Sequence, residues 1–238
     1  MPVLESLVVT IAIYRRVFGR GAALAVRNWP VLLSVFAYSA ILTTGTYLGA
    51  LFGLIGGLIT SLLTSACLGS FLYLVEMIVR TNKVTWADFT ASFGVYFWDV
   101  VGVTFAVWLF WFVAAPALTS LPQGPVVVLA IQLVGVILFN AVPELIYLGH
   151  YGVMALLARS YQFVANNWIE WFPPNLLLMA GLMVVWRAPV EGSLVLQALA
   201  GALAALFLYF AMVVRGLLFI ELDGSTRRAR IFRHKMGR

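Results

Sequence analysis

The chain has 238 residues, of which 63% are hydrophobic and 10% are charged, and its formal net charge is +6. A soluble domain is about half apolar and about a quarter charged, so this sequence has too little polar surface to cover a water-soluble globule. The basic balance does not indicate nucleic acid binding, because Lys and Arg collect at the ends of apolar segments, where they act as a topology signal.

Long uncharged stretches indicate the fold class. They comprise 48 positions between Arg27 and Glu76, 44 between Asp99 and Glu144, and 23 between Glu191 and Arg215. A membrane-spanning helix needs roughly 20 apolar residues. Each of the first two stretches therefore holds two helices, and the third holds one. The sequence predicts an all-α, polytopic integral membrane protein, a bundle of about six transmembrane helices within residues 29–223.

Residues 1–28 are predicted to form an amphipathic interfacial helix. Apolar residues recur at spacings of three and four, namely Leu4, Val8, Ile11, Tyr14 and Phe18. Arg16, Arg20 and Arg27 fall on another side. A helix with an apolar stripe beside a basic face lies in the plane of the lipid headgroups. A cytoplasmic helix packed on the rest of the protein is an equal alternative.

The first two spans are expected at 29–52 and 58–79, joined by a turn that holds Gly56 and Gly57. Small residues recur every four positions along this hairpin: Gly45, Gly49, Gly53, Gly57, Ser61, Ser65 and Gly69. This spacing puts small residues on one helix face, where backbones can approach closely. The pattern predicts a helix-packing face, with the lining of a substrate path as the less favoured alternative. Cys67, the single cysteine, is expected to pack in the same hairpin.

The remaining elements follow in chain order. Thr85 offers an N-cap for a short helix in a polar connection, and two further spans are expected at 96–118 and 126–148. Residues 149–172 form a second amphipathic, cytoplasmic helix that Pro173 and Pro174 are expected to stop. A short fifth span at 175–186 is tilted, re-entrant or extended by its flanks. A sixth span at 193–214 and a basic cytoplasmic tail at 224–238 complete the chain.

The positions of the Lys and Arg residues indicate how the chain is oriented in the membrane. With the N-terminus inside, the cytoplasmic segments hold fourteen of the Lys and Arg residues and the outer loops hold only Arg187. Under the positive-inside rule, this predicts cytoplasmic N- and C-termini in a bacterial inner (cytoplasmic) membrane. Anionic lipid is then the expected partner of a set of cations: Arg16, Arg20, Arg227, Arg228, Arg230, Arg233 and Lys235. A simple topology anchor is the alternative role of the tail.

Polar residues near the ends of the spans are the candidates for an ion or substrate site. They are Glu76, Asp99, Asn140 and Glu144, with Pro143 freeing a backbone carbonyl nearby. Ionisable groups at membrane depth are costly and are functional candidates by default. A cytoplasm-facing polar cavity for a proton, a cation or a basic group of a partner is one interpretation of these residues.

Structural ion pairing is the favoured interpretation of the same carboxylates. Glu76 precedes Arg80 by four residues, which is the favourable direction for a helical ion pair. Arg159 and Arg215 are predicted partners for the other two carboxylates. The two histidines, His150 and His234, have no companion at metal-ligand or triad spacing, and no hydrolytic or nucleotide-binding motif occurs. We therefore expect no enzyme activity, metal or cofactor.

One stretch of the amphipathic segment resembles a known family. The residues Ala155-Leu156-Leu157-Ala158-Arg159-Ser160 are similar to the cytoplasmic helix of YciC-like bacterial membrane proteins and of the membrane domain attached to some glycerophosphodiester phosphodiesterases. Ala25-Val26-Arg27-Asn28-Trp29-Pro30 and Trp86-Ala87-Asp88-Phe89 resemble the segments before the first and third spans of these proteins. The resemblance implies a six-span helical protein of the cell envelope and brings no catalytic residues.

These features favour a non-enzymatic inner-membrane protein, a scaffold, accessory or assembly subunit of a larger membrane complex or of a homo-oligomer. The alternative is a small transporter or permease component that uses the acidic site. An intramembrane enzyme acting on lipids is least favoured.

Overall fold

The computed structural model describes residues 2–149, 151–186, 194–225, 229, 230, 232 and 236. These residues form helices and no strands, in agreement with the all-α prediction. The helices are α1 Pro2–Arg27, α2 Val31–Ala50, α3 Gly53–Thr81, α4 Trp86–Ser92, α5 Phe97–Thr119, α6 Gly124–Leu138, α7 Val142–Leu148, α8 Val153–Trp186 and α9 Leu194–Asp223.

Five segments of the described chain are long and apolar enough to cross a bilayer. They are Val31–Ala50, Gly53–Thr81, Phe97–Thr119, Gly124–Leu148 and Leu196–Asp223. Their outward faces carry large apolar side chains, such as Trp108 and Phe112 of α5, which suits a lipid solvent. These segments coincide with five of the six predicted spans. The predicted short span at 175–186 is the C-terminal part of α8 and is not among them.

The expectation that Pro173 and Pro174 stop a helix is wrong. Both prolines lie inside α8, which runs without interruption from Val153 to Trp186. A proline inside a helix removes one backbone hydrogen bond, and a helix tolerates this loss when another donor reaches the freed carbonyl. A donor from α1 reaches the carbonyl of Glu170, which Pro174 leaves free.

The predicted fourth span is also not one regular helix. α6 ends at Leu138 and α7 begins at Val142, and the three residues between them, 139–141, form turns. Pro143 stands in the first turn of α7, where its missing N–H costs little.

The chain divides into two compact units. Unit 1 holds the described residues of Met1–Val35, Val75–Val84 and Asn167–Arg238, and unit 2 holds those of Phe36–Leu74 and Thr85–Asn166.

In unit 1, α1 and the C-terminal part of α8 both pack against α9. A Cβ built on Gly21 of α1 would lie 2.7 Å from Val214 Cγ2, so the two helices approach closely there. On the other side, the Trp171 and Phe219 rings meet edge to face with their centroids 6.3 Å apart. The Arg215 guanidinium lies over the Trp171 ring at 5.2 Å.

In unit 2, α4 packs against the first hairpin through aromatic and hydroxyl contacts. The ring centroid of Tyr38 lies 6.2 Å from that of Phe89 of α4. Ser70 Oγ of the hairpin shares a hydrogen bond with Ser92 Oγ of α4. α4 begins with a capping box between Thr85 and Asp88, which confirms the N-cap expected at Thr85.

Candidate functional site

The predicted acidic site is divided between the two units. Glu76 belongs to unit 1, whereas Asp99, Asn140 and Glu144 belong to unit 2. Glu76 Oε1 lies 2.9 Å from Arg80 Nε, which confirms the helical ion pair expected from their spacing. Asp99 and Asn140 are half-buried, whereas Glu144 is fully buried.

Glu144 lies just after the interruption between α6 and α7. Its side chain has no solvent-exposed surface, and neither has the neighbouring Tyr147. Glu144 stands in the first turn of α7. A fully buried carboxyl beside a break in an apolar segment is the most chemically distinctive feature of unit 2.

A hydroxyl group of α8 supports the interrupted backbone. The N–H of Val142 donates to the carbonyl of Phe139 at 3.1 Å, one residue short of the regular helical acceptor, Leu138. Ser160 of α8 donates to the Leu138 carbonyl at 3.1 Å. The break is therefore stabilised by a polar contact from a neighbouring helix, as backbone at membrane depth requires.

The predicted ladder of small residues has a more selective pattern in the structure. Side chains built on Gly45 or Gly49 would meet the facing residues Leu63 and Thr60 of α3, whereas Gly53 and Gly57 face open space. Further along, Gly69 approaches the backbone of Tyr96, Ser65 is buried and Ser61 is exposed.

The closest backbone approach of the hairpin lies at a residue outside the ladder. A Cβ on Gly56 would overlap the carbonyl oxygen of Gly49. Gly53 instead makes the turn between α2 and α3, with a φ of +56° that glycine adopts readily.

The structure separates the cations that the sequence groups as lipid-facing. Arg230 is only 5% exposed, and its Nη2 lies 3.5 Å from Glu170 Oε1. Its Nη1 donates to the carbonyls of Leu222 and Ser225 at the end of α9. Arg230 is thus an internal residue. Its guanidinium satisfies carbonyls at the end of α9, as a basic side chain near a helix C-terminus can do. Arg227, Arg228, Arg233, Lys235 and both histidines lie outside the described residues.

Tyr14 replaces one of the two helical hydrogen bonds that the prolines of α8 remove. In a regular helix, the carbonyl of Glu170 would accept from residue 174, which is a proline without an N–H. The Tyr14 hydroxyl of α1 donates to this carbonyl at 2.8 Å. Burial, together with the charge of Glu170, raises the pKa of Tyr14 to about 12, so its hydroxyl remains a donor at neutral pH.

Asn28 joins three segments of unit 1. Its Nδ2 donates to the carbonyls of Leu24 and Asn82, at 3.0 and 3.2 Å, and its Oδ1 accepts from the N–H of Val84 at 2.9 Å. Its own carbonyl accepts from the hydroxyl of Tyr209 of α9 at 3.2 Å. Asn28 is 4% exposed, and a buried amide that is fully bonded specifies how neighbouring segments meet.

A cavity of about 420 Å³ lies in unit 1 where α1, α3 and α9 meet. It is lined by Arg16, Val17, Arg20, Val79, Arg80, Leu217, Ile220 and Glu221. Arg16 Nη1 lies 3.6 Å from Glu221 Oε1, and Arg20 Nη2 donates to Asn82 Oδ1 at 3.0 Å. Three arginines, two from α1 and one from α3, thus line one space that also has an apolar side. The sequence indicated Arg16 and Arg20 as a basic face but not their meeting with Arg80.

Neither the side-chain chemistry nor comparison of the chain with known proteins assigns an activity. Among the residues that the structure describes, no three His, Cys, Asp or Glu side chains are grouped as a metal site would require. No known protein family, curated protein or solved structure matches the chain.

Proposed function

We propose that this chain is a non-catalytic, multi-pass protein of the bacterial inner membrane that serves as a scaffold or accessory subunit of a larger membrane complex. The observation that carries the proposal is that three glutamates of unit 1 form ion pairs with arginines. Glu76, Glu170 and Glu221 each lie within 4 Å of an arginine of the same unit. These carboxylates join helices or helix turns, whereas a transported cation would need carboxylates that can exchange partners.

Further polar contacts serve the same purpose. The Tyr14 hydroxyl, the Asn28 amide and the Tyr209 hydroxyl each bind backbone carbonyls of another segment. Interhelical bonds of this kind are each worth about 1 kcal/mol in membrane proteins. These polar side chains hold the helices of unit 1 in fixed positions. A rigid unit of this kind suits a protein that holds other subunits.

The topology that accompanies this proposal has six spans and both termini in the cytoplasm. Arg80, near the end of α3, and Glu221, near the end of α9, line the same cavity, so these two ends belong on one side of the membrane. The candidate spans between them number only three: α5, α6–α7 and α9 itself. An even number of crossings is needed, and we assign the fourth to the C-terminal part of α8, from 175 onward.

Reporter fusions test this topology. A reporter that is active only in the cytoplasm, fused after Arg238 or inserted after Lys83, is expected to be active at both positions. Fusion after Leu121, in the turn between α5 and α6, is expected to be inactive and serves as the control. Activity at Lys83 without activity at Arg238 would remove the sixth span from the proposal.

Co-purification tests the scaffold role. The tagged chain, extracted from native membranes in two unrelated mild detergents, is expected to retain the same membrane protein in a constant molar ratio. Deleting the gene should lower the membrane level of that partner, because unassembled subunits are degraded. A chain that runs alone in both detergents, with no other membrane protein depleted on deletion, contradicts the proposal.

A transport role is the second candidate, and Glu144 is the observation that favours it. Transporters bind ions and substrates at interrupted helices, and an ionisable residue within a span is a functional candidate by default. Glu144→Gln keeps the size of the side chain and removes its ionisable group. Transport predicts that Glu144→Gln abolishes uptake at normal protein level, whereas a structural role predicts a lower protein level.

A further inference from the structure

The cavity between α1, α3 and α9 has the charge of a site for a single anion. Its three arginines face two carboxylates, Glu221 on the cavity wall and Glu76 bound to Arg80. Arg16 is held by Glu221. Arg20 is bonded to a neutral amide, and no carboxylate of the described residues lies within 4 Å of it. One positive charge, centred on Arg20, is therefore left uncompensated.

The other side of the cavity is apolar. Val17, Val79 and Leu217 are buried, and Ile220 is 45% exposed. A free inorganic anion would leave this apolar wall without a partner. A ligand with a phosphate at one end and hydrocarbon next to it would contact both sides of the cavity.

The cavity lies at the depth where such ligands occur. Arg80 follows Glu76, the first charged residue after the uncharged stretch, by four residues, and Glu221 follows Arg215 by six. These separations are about 6 to 9 Å along a helix. The headgroup layer adds roughly 5 to 8 Å on each side of the hydrocarbon core. This depth puts Arg80, and with it the two arginines of α1 that line the same cavity, at the level expected for lipid phosphates.

We propose that this cavity binds one acidic phospholipid, with its phosphate between Arg20, Arg16 and Arg80 and its glycerol and first acyl carbons against Val17, Val79, Leu217 and Ile220. Guanidinium groups bind phosphate oxygens in pairs through charge-assisted hydrogen bonds. A bound lipid would also link α1 to the ends of two spans. The proposal rests on placement in a membrane and is independent of the scaffold role.

Native mass spectrometry of the full-length protein tests the site, with phosphatidylglycerol as the probe and phosphatidylcholine as the reference. The protein is expected to retain one phosphatidylglycerol in preference to phosphatidylcholine. Arg20→Gln should weaken this retention about fivefold, as expected for one cation at the membrane surface. Arg27→Gln removes an equal charge from the exposed end of α1, outside the cavity, and should leave retention unchanged. Equal losses in the two variants would refute a defined site.

Two further variants separate charge from folding. Glu221→Gln removes one of the two carboxylates and should strengthen retention about fivefold, a gain that misfolding cannot produce. Asn82→Gly removes the amide partner of Arg20, keeps the positive φ of 62° at this position, and should leave retention unchanged. Unaltered retention in Glu221→Gln, or a loss in Asn82→Gly as large as in Arg20→Gln, overturns the proposal.

Excess inorganic phosphate distinguishes a lipid from a soluble phosphate compound. It is expected to leave the bound phosphatidylglycerol in place, because phosphate alone has no contact with the apolar wall. Complete displacement would assign the cavity to a soluble anion and overturn the lipid proposal.

Discussion

Tyr14→Phe removes a single hydroxyl group and leaves the carbonyl of Glu170 without its donor. The lost bond is 2.8 Å long and part-buried. Leaving a buried acceptor unsatisfied costs about 1 to 3 kcal/mol, and the half-buried position of Tyr14 favours the lower part of this range. About 1 to 2 kcal/mol lowers the thermal midpoint of a protein of this size by roughly 2 to 8 °C.

The neighbouring prolines provide a matched control. Pro174→Ala restores the N–H that a regular helix directs to Glu170, so Tyr14→Phe should cost less than about 0.5 kcal/mol in this background. Pro173→Ala restores an N–H directed to the preceding carbonyl, that of Ile169. In this second background, the cost of Tyr14→Phe should be unchanged.

The assay is thermal unfolding of the purified protein in detergent, followed by tryptophan fluorescence at one scan rate, because membrane proteins often unfold irreversibly. Measurements at pH 7 keep Tyr14 protonated, since its pKa is about 12. If Tyr14→Phe costs the same in the Pro174→Ala and Pro173→Ala backgrounds, the hydroxyl does not replace the missing helical donor and the reasoning fails.

Three further changes test the packing by the same unfolding assay. Gly56→Ala should lower the free energy of unfolding by about 1 to 3 kcal/mol through overpacking against Gly49. Gly57→Ala, at a position that faces open space, should not lower it. Equal effects of the two changes would contradict the close approach of Gly56 to Gly49. Asn28→Ala should cost about 2 to 3 kcal/mol by leaving buried backbone groups unbonded, and a cost below 0.5 kcal/mol would contradict its linking role. Arg230→Met should cost about 3 to 5 kcal/mol by removing one partner of the buried Arg230–Glu170 ion pair, unlike the exposed Arg27→Met. Similar thermal midpoints for these two variants would place Arg230 at the surface.

Local sequence patterns determine several features because the interactions involved span few residues. Uncharged stretches of sufficient length predict apolar helices without knowledge of their neighbours, and five of the six expected spans coincide with such helices. The Glu76–Arg80 pair follows from a spacing of four on a helix. The cap at Thr85 depends on Asp88, three residues later. Each of these features is decided within one or two helical turns.

Predictions that depend on distant residues did not follow from the sequence. Pro173 and Pro174 were expected to end a helix, but α8 continues through both. Tyr14, more than 150 residues away in sequence, supplies a donor to one of the two freed carbonyls. Arg230 belongs by composition to a basic tail, yet the end of α9 and Glu170 bury it. The approach of Gly56 to Gly49 depends on how α2 and α3 cross, which a four-residue repeat does not encode.

The sequence by itself therefore determined the solvent of this protein, its helical class and the approximate position of its spans, since hydrophobicity and local hydrogen bonding are properties of short segments. Only the tertiary structure decided which polar groups meet, including the convergence of Arg16, Arg20 and Arg80 on one cavity. The physical reason is that a charge or carbonyl is satisfied by whatever lies within about 3 Å of it, and in a folded chain that neighbour is set by helix packing rather than by sequence separation.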